Sequence, residues 1–139
     1  MNRPEIVRKT EKTAILLVSP ETGRLPEEMG GLARYISGKT GGLGEVVAAL
    51  CEGIRARGID CHVATLNLKK RFQQECNLDE EKWREIRYKI DPGKIHLVSS
   101  SIFANLDSAY SGNPLLTAAE FQKQVVNTII KNVRAKYEG

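Results

Sequence analysis

Lys39-Thr40-Gly41-Gly42-Leu43-Gly44-Glu45 stands between an apolar run, residues 13–19, and an amphipathic segment, residues 45–57. Its three glycines carry no Cβ and tolerate positive φ, so the backbone can approach a ligand closely. A helix that starts there offers free N–H groups and the positive end of its dipole, which suits phosphate. Lys39 adds a point charge at the head of the turn, and the expected guest is anionic. Before the turn, Thr13-Ala14-Ile15-Leu16-Leu17-Val18 is apolar almost throughout. That pattern fits a strand buried on both faces of a parallel sheet. Strand, glycine turn, helix predicts an α/β protein whose ligands sit outside the carboxyl ends of the strands.

Working outward, Val46, Leu50 and Ile54 recur at helical spacing, with Val47 and Cys51 beside them. Arg55 and Arg57 suit the negative end of that helix, and Gly58 is a ready C′ residue. Residues 61–66 form the second strand. Residues 69–75 and 79–84 read as surface helical or irregular pieces. Residues 86–90 alternate and 95–98 are apolar, with Asp91-Pro92-Gly93 as a turn between them; this predicts either a hairpin or two adjacent strands. Residues 99–116 read as a long loop, and long loops in compact domains are usually functional. Thr117-Ala118-Ala119-Glu120 has the form of a capping box, opening a last helix with Phe121, Val125, Ile129 and Val133 on one stripe. The expected architecture is a Rossmann-like parallel sheet with flanking helices over residues 13–139, preceded by a flexible tail, residues 1–12.

With 41% apolar and 27% charged residues, the chain has an ordinary globular composition. The net charge of +4 is spread out, with no basic stripe interleaved with aromatics, which argues against nucleic-acid binding. No apolar run approaches the ~18 residues of a membrane span. Cys51, Cys61 and Cys76 lack metal or C-x-x-C spacing and read as free thiols. His62 reads as a histidine satisfied in the core or at its edge, and Trp83 as packing.

Three words together resemble the start of bacterial glycogen and plant starch synthases. They are Leu16-Leu17-Val18-Ser19-Pro20-Glu21, Lys39-Thr40-Gly41-Gly42-Leu43-Gly44-Glu45-Val46, and Arg55-Ala56-Arg57-Gly58-Ile59-Asp60-Cys61-His62-Val63. Fainter echoes reach Tyr110 and the last helix. Two features depart from the family's pattern: Glu21 and Lys39 lie 18 positions apart, farther than the family places them, and Glu45 stands where the family usually has Asp.

The resemblance implies part of the N-terminal domain of a GT-B glycosyltransferase. That family moves glucose from ADP- or UDP-glucose to the non-reducing end of an α-1,4-glucan with retention, using neither metal nor cofactor. Lys39 would then contact the donor's phosphates. Thr40, Gly41, Gly42 and Gly44 would line the nucleotide-sugar, Glu45 would orient the sugar or fix the turn, and Glu21 would join them from the end of the first strand. The family's site lies in a cleft between two domains, so residues 1–139 are expected to be inactive alone, to carry no catalytic residue of their own and to self-associate through a sheet edge or the last helix. The cytoplasm, or a plastid in a plant, is the expected compartment. Two alternatives stand beside this reading. One is a non-catalytic module binding nucleotide-sugar or glucan. The other is a P-loop nucleotidase, since Ala33-Arg34-Tyr35-Ile36-Ser37-Gly38-Lys39-Thr40 is one substitution from G-x-x-x-x-G-K-[ST].

Overall fold

The computed structural model describes residues 13–36, 42–89 and 93–138. Three strands, β1 (Ala14–Val18), β2 (Asp60–Leu66) and β3 (Ile95–Val98), form a parallel sheet in the order β1-β2-β3. Leu16 pairs with His62, and Ala64 with His96. The central strand β2 is buried at every residue after Asp60. That is the burial expected of a parallel strand covered on both faces. The α/β expectation holds, and the chain carries the sheet and flanking helices of a partial Rossmann-like domain. Neither the hairpin nor the adjacent-strand alternative holds, because residues 86–89 are helical and β3 pairs with β2 instead.

One face is covered by α1 (Gly42–Ala56) and by the segment between β1 and α1. Gly44, Val47 and Cys51 are the buried residues of α1, with Ile54 packed against the core. The sequence-based stripe through Val46 and Leu50 is therefore a correction: these two are 53% and 51% exposed. The cause lies at Gly44, whose N–H is held by the Glu21 carboxylate and whose carbonyl accepts from Gly23 N–H. Those two bonds set the rotation of the helix and turn the 44–47–51 face inward. The helix also opens earlier than expected, so Gly42 and Gly44 belong to its first turn. Its end is as expected: Gly58 has φ +77° and Arg57 donates to the Gly53 carbonyl.

The spacer after Glu21 builds two short 3₁₀ turns, Glu27–Met29 and Gly31–Arg34. Leu25, Met29, Leu32, Ala33 and Ile36 are all buried, so the insertion is a structural layer. It reaches the amino end of β3, where Lys94 N–H donates to the Met29 carbonyl at 2.7 Å. Gly93 sits under that carbonyl at φ +62°, and a Cβ there would collide with the Met29 oxygen.

Beyond β2, α2 (Lys69–Glu75) and α3 (Glu80–Lys89) follow. Residues 86–89 are thus helical, correcting the strand expected at 86–90. Asp79 accepts from Lys82 N–H and starts the helix. Trp83 and Ile86, three apart, are both buried, and Trp83 tilts against Phe72. This helical spacing outweighs a two-residue alternation.

The other face is covered by one long helix made of α4 (Pro114–Gln124), a π-helical turn (Val125–Ile129) and α5 (Ile130–Glu138). Its cap is Asn113, whose side chain accepts from Leu115 and Leu116 N–H, with Pro114 at the first position. The capping box expected at 117–120 is corrected: Thr117 lies buried inside the helix. Phe121, Val125, Ile129 and Val133 are 5–8% exposed and belong to the chain's own core. They are therefore not a free contact face for self-association. These residues are spaced by four throughout, and in a pure α-helix each such step drifts by about 40°. The wider π turn takes up the drift and keeps the stripe on one face.

Candidate functional site

The site is built from the end of β1. Ser19 N–H bonds the Ala64 carbonyl and closes the ladder. The Ser19 hydroxyl donates to the Glu21 carbonyl at 2.7 Å, forming a turn with Pro20 that directs Glu21 back into the protein. Glu21 is only 1% exposed. Its Oε1 accepts from Gly44 N–H at 3.0 Å. The first N–H groups of a helix lack internal partners, and a carboxylate there is favoured by the dipole. Glu21 thus serves as a remote cap of α1.

The Tyr110 hydroxyl faces the same carboxylate, and its phenol is pushed above its usual range by burial first, then by the charge of Glu21 and hydrogen bonding to it. One buried acid therefore joins the end of β1, the start of α1 and the loop that precedes α4. Gly23 completes the joint: a Cβ there would lie 3.0 Å from the Gly44 carbonyl oxygen and 3.3 Å from the Ala48 Cβ.

Of the residues expected to bind donor, Glu21, Gly42, Gly44 and Glu45 are brought to one end of the sheet. Lys39, Thr40 and Gly41 lie outside the described residues. Gly42 is exposed at the first position of α1, and a Cβ there would meet nothing within 4 Å. Gly44 is buried, with its N–H engaged by Glu21. Glu45 is exposed and lines a surface depression with Arg24 and Glu27 of the spacer. Sequence reasoning missed Gly23 and the Glu21–Tyr110 link. The only signal for either was a Ser-Pro-Glu turn with a glycine after it, and nothing local marks a link between residues 21 and 110. Beside the acid, Val18, Pro20, Tyr110, Phe121 and Val126 line an apolar groove of about 340 Å³.

A second polar assembly lies at the opposite, amino end of the sheet. Lys94 Nζ pairs with Asp60 Oδ1 at 3.0 Å, and Asp60 Oδ2 accepts from the Tyr137 hydroxyl at 3.2 Å. Tyr137 Oη lies 2.7 Å from His62 Nε2, and His62 Nδ1 lies 2.9 Å from His96 Nε2. Burial, with the charges of its neighbours, holds His96 down at about 4. His62 is lowered by burial and by Lys136 and Lys94, against the pull of Asp60. His62 is the satisfied core histidine expected. Cys51, Cys61 and Cys76 are free thiols, and burial raises Cys61 to about 12, which leaves it a poor nucleophile. Among the described residues no group of His, Cys, Asp and Glu is placed to hold a metal, and no helix is long and apolar enough to cross a membrane.

Comparison with curated proteins and with solved structures gives no match. Among protein families, the starch synthase catalytic domain matches residues 14–124. That span runs from β1 past Glu21, Gly44 and Tyr110 to the end of α4. The chain belongs to the starch synthase catalytic domain family.

Proposed function

We propose that this chain forms the donor-binding wall of a retaining glucosyltransferase of the glycogen/starch synthase type, which passes glucose from ADP- or UDP-glucose to an α-1,4-glucan. The observation that carries the reading is the bond from Gly44 N–H to the buried Glu21. It holds the start of α1 at the carboxyl end of β1, where ligands of such sheets bind. In this reading Lys39 meets the diphosphate, and Thr40, Gly41 and Gly42 line it. Glu21 and Gly44 fix the start of α1, and Glu45 orients the sugar. As the sugar departs, negative charge grows on the leaving phosphate oxygen, and a cation with backbone N–H groups stabilises it there.

One wall of a cleft binds weakly, so ADP-glucose binding in the millimolar range is expected, about −4 kcal/mol. Residues 1–139 alone transfer no glucose in this reading. Titration of the chain with ADP-glucose, followed by amide NMR, is expected to shift Gly41 and Gly42 and to lose the effect in Lys39→Ala. Transfer of labelled glucose to glycogen, abolished by Lys39→Ala, would instead show that the site is complete within these residues. The P-loop alternative lacks support: its word opens within the 3₁₀ turn Gly31–Arg34, not after a strand. Self-association belongs to the same proposal, now through the open edge of β1 and the apolar groove beside it.

A further inference from the structure

The polar assembly at the amino end of the sheet has a direction that its members impose on one another. Lys94, 3.0 Å away, holds the Asp60 carboxyl below its usual range, and an ionised carboxylate only accepts. Tyr137 therefore donates to Asp60 Oδ2 at 3.2 Å. Its oxygen is left to accept from His62 Nε2 at 2.7 Å. A neutral imidazole carries one N–H, so His62 Nδ1 is bare and accepts from His96 Nε2 at 2.9 Å. Both histidines are thus Nε2–H tautomers, and each gap in the chain holds one proton. The two ring planes lie within 22° of each other and their centroids are 5.2 Å apart. The N···N distance and the radii of the two rings already fill that separation, so the nitrogens meet edge to edge.

Adding protons to this pair has two different results. One proton costs the chain no bond. It enters at His96 Nδ1, or it makes His62 a double donor while His96 moves its own hydrogen to Nδ1 and accepts. A second proton puts an N–H on both sides of the gap and sets two positive rings edge to edge. Among the described residues, the charged groups facing them are Asp60 on β2, Lys94 before β3, and Lys136 on α5, which donates to the Gly93 carbonyl. Two cations against one carboxylate add to the repulsion. The strands beneath the rings are fixed by their pairing, Leu16 with His62 and Ala64 with His96. His62 is 1% exposed, and the Tyr137 ring stands across it at 76°. The part with freedom to move is the end of the helix.

We infer that His62 and His96 form an acid-operated latch on the C-terminal end of α5, closed with up to one added proton and opened by the second, when Tyr137 lifts and admits water to the charged rings. Burial first, then His62 and Lys136, hold His96 down at about 4 in the closed latch, against 6.5 in the open chain. Opening therefore takes up protons, so it grows as pH falls below 6.5 and levels off below about 4. The test is imidazole nitrogen NMR and amide hydrogen exchange on the whole chain from pH 7 to pH 4. Nε2–H tautomers are expected on both rings at pH 7. Exchange at Val133, Ala135 and Tyr137, corrected for its intrinsic pH dependence, is expected to speed up about ten-fold or more towards pH 4, with Val63 and Phe121 still protected. His96→Gln keeps a donor for His62 and takes no proton, and its helix end is expected to stay closed over the same range. Tyr137→Phe keeps the ring but loses both bonds, so its helix end is expected to be open already at pH 7, with a flat pH profile. An Nδ1–H tautomer on either ring at pH 7 overturns the inference, as does acid opening in His96→Gln equal to the parent's. Should His96→Gln not fold, Tyr137→Phe decides, and a pH profile unchanged from the parent's overturns the inference. Equal acceleration at Val63, Phe121 and Tyr137 overturns it too, since the rings would then act on the whole fold and not on the helix end.

Discussion

Glu21 shows how much one buried side chain can organise. Its carboxylate holds the buried Gly44 N–H, so Glu21→Ala leaves that group without its acceptor, whereas the half-exposed Tyr110 can turn to water. Each unpaired buried group costs about 1–3 kcal/mol. We expect the variant to lose stability in that range by urea denaturation, with faster hydrogen exchange at Gly44. Glu21→Gln keeps one acceptor oxygen and is expected to lose less. A second residue-scale test is Gly93→Ala. It combines φ +62° with a collision at the Met29 carbonyl, and strained backbone of this kind costs on the order of 1–3 kcal/mol. Thermal melting should fall accordingly, whereas Gly42→Ala, which meets nothing, should melt near the parent. At this scale the sequence showed the words but not their joining. Ser-Pro-Glu and the glycine turn were legible as motifs, but the bond between them spans an insertion whose path no local pattern encodes.

Elements were legible where periodicity was long and misread where it was short. The last helix announced its buried stripe, but its start went to Thr117 because a capping box outshone the simpler Asn-Pro entry. Asn113→Ala is expected to destabilise by about 1 kcal/mol, measurable by circular dichroism of thermal unfolding; Thr117→Ala tests burial instead of capping. The same helix is fastened at its far end by Tyr137, through His62 and Asp60. His96, beneath them, titrates at about 4 when folded against 6.5 unfolded. Between those values the unfolded chain binds a proton that the folded chain refuses, so stability falls as pH drops. The slope is at most about 1.4 kcal/mol per pH unit for one such group. Melting temperature should therefore decline from pH 7 towards pH 4.5, and His96→Leu should flatten the decline. The groups facing the two rings are Asp60, Lys94, Tyr137 and Lys136, so Lys136→Ala should also ease it. Interpreting 86–90 as a strand failed for a related reason: alternation over five residues carries less weight than a capped turn with Trp83 and Ile86 on one side.

At the scale of the whole molecule, the parallel sheet and its glycine turn followed from the apolar run before the turn, because such runs are stable only when covered on both sides. What stayed hidden was the burial of the spacer, which supplies five buried residues to the core. Among the described residues β1 lies at the sheet edge, with Val18 half exposed beside Val126 and Tyr110. Exposed edges of this kind recruit other chains, so light scattering should show association rising with concentration, and Val18→Lys should suppress it. The π turn carries a different kind of information, a record of length. A segment with one residue too many for a regular helix bulges at that place and leaves both flanks where they were. Deleting a single exposed residue there, Asn127 or Thr128, should relax the bulge to ordinary helix and bring the spacing from Val125 to the next core residue down to three. Thr117, Phe121 and Val133 would keep their seats. The chain is thus one residue longer than its last helix requires, and that surplus can be removed without a change of fold.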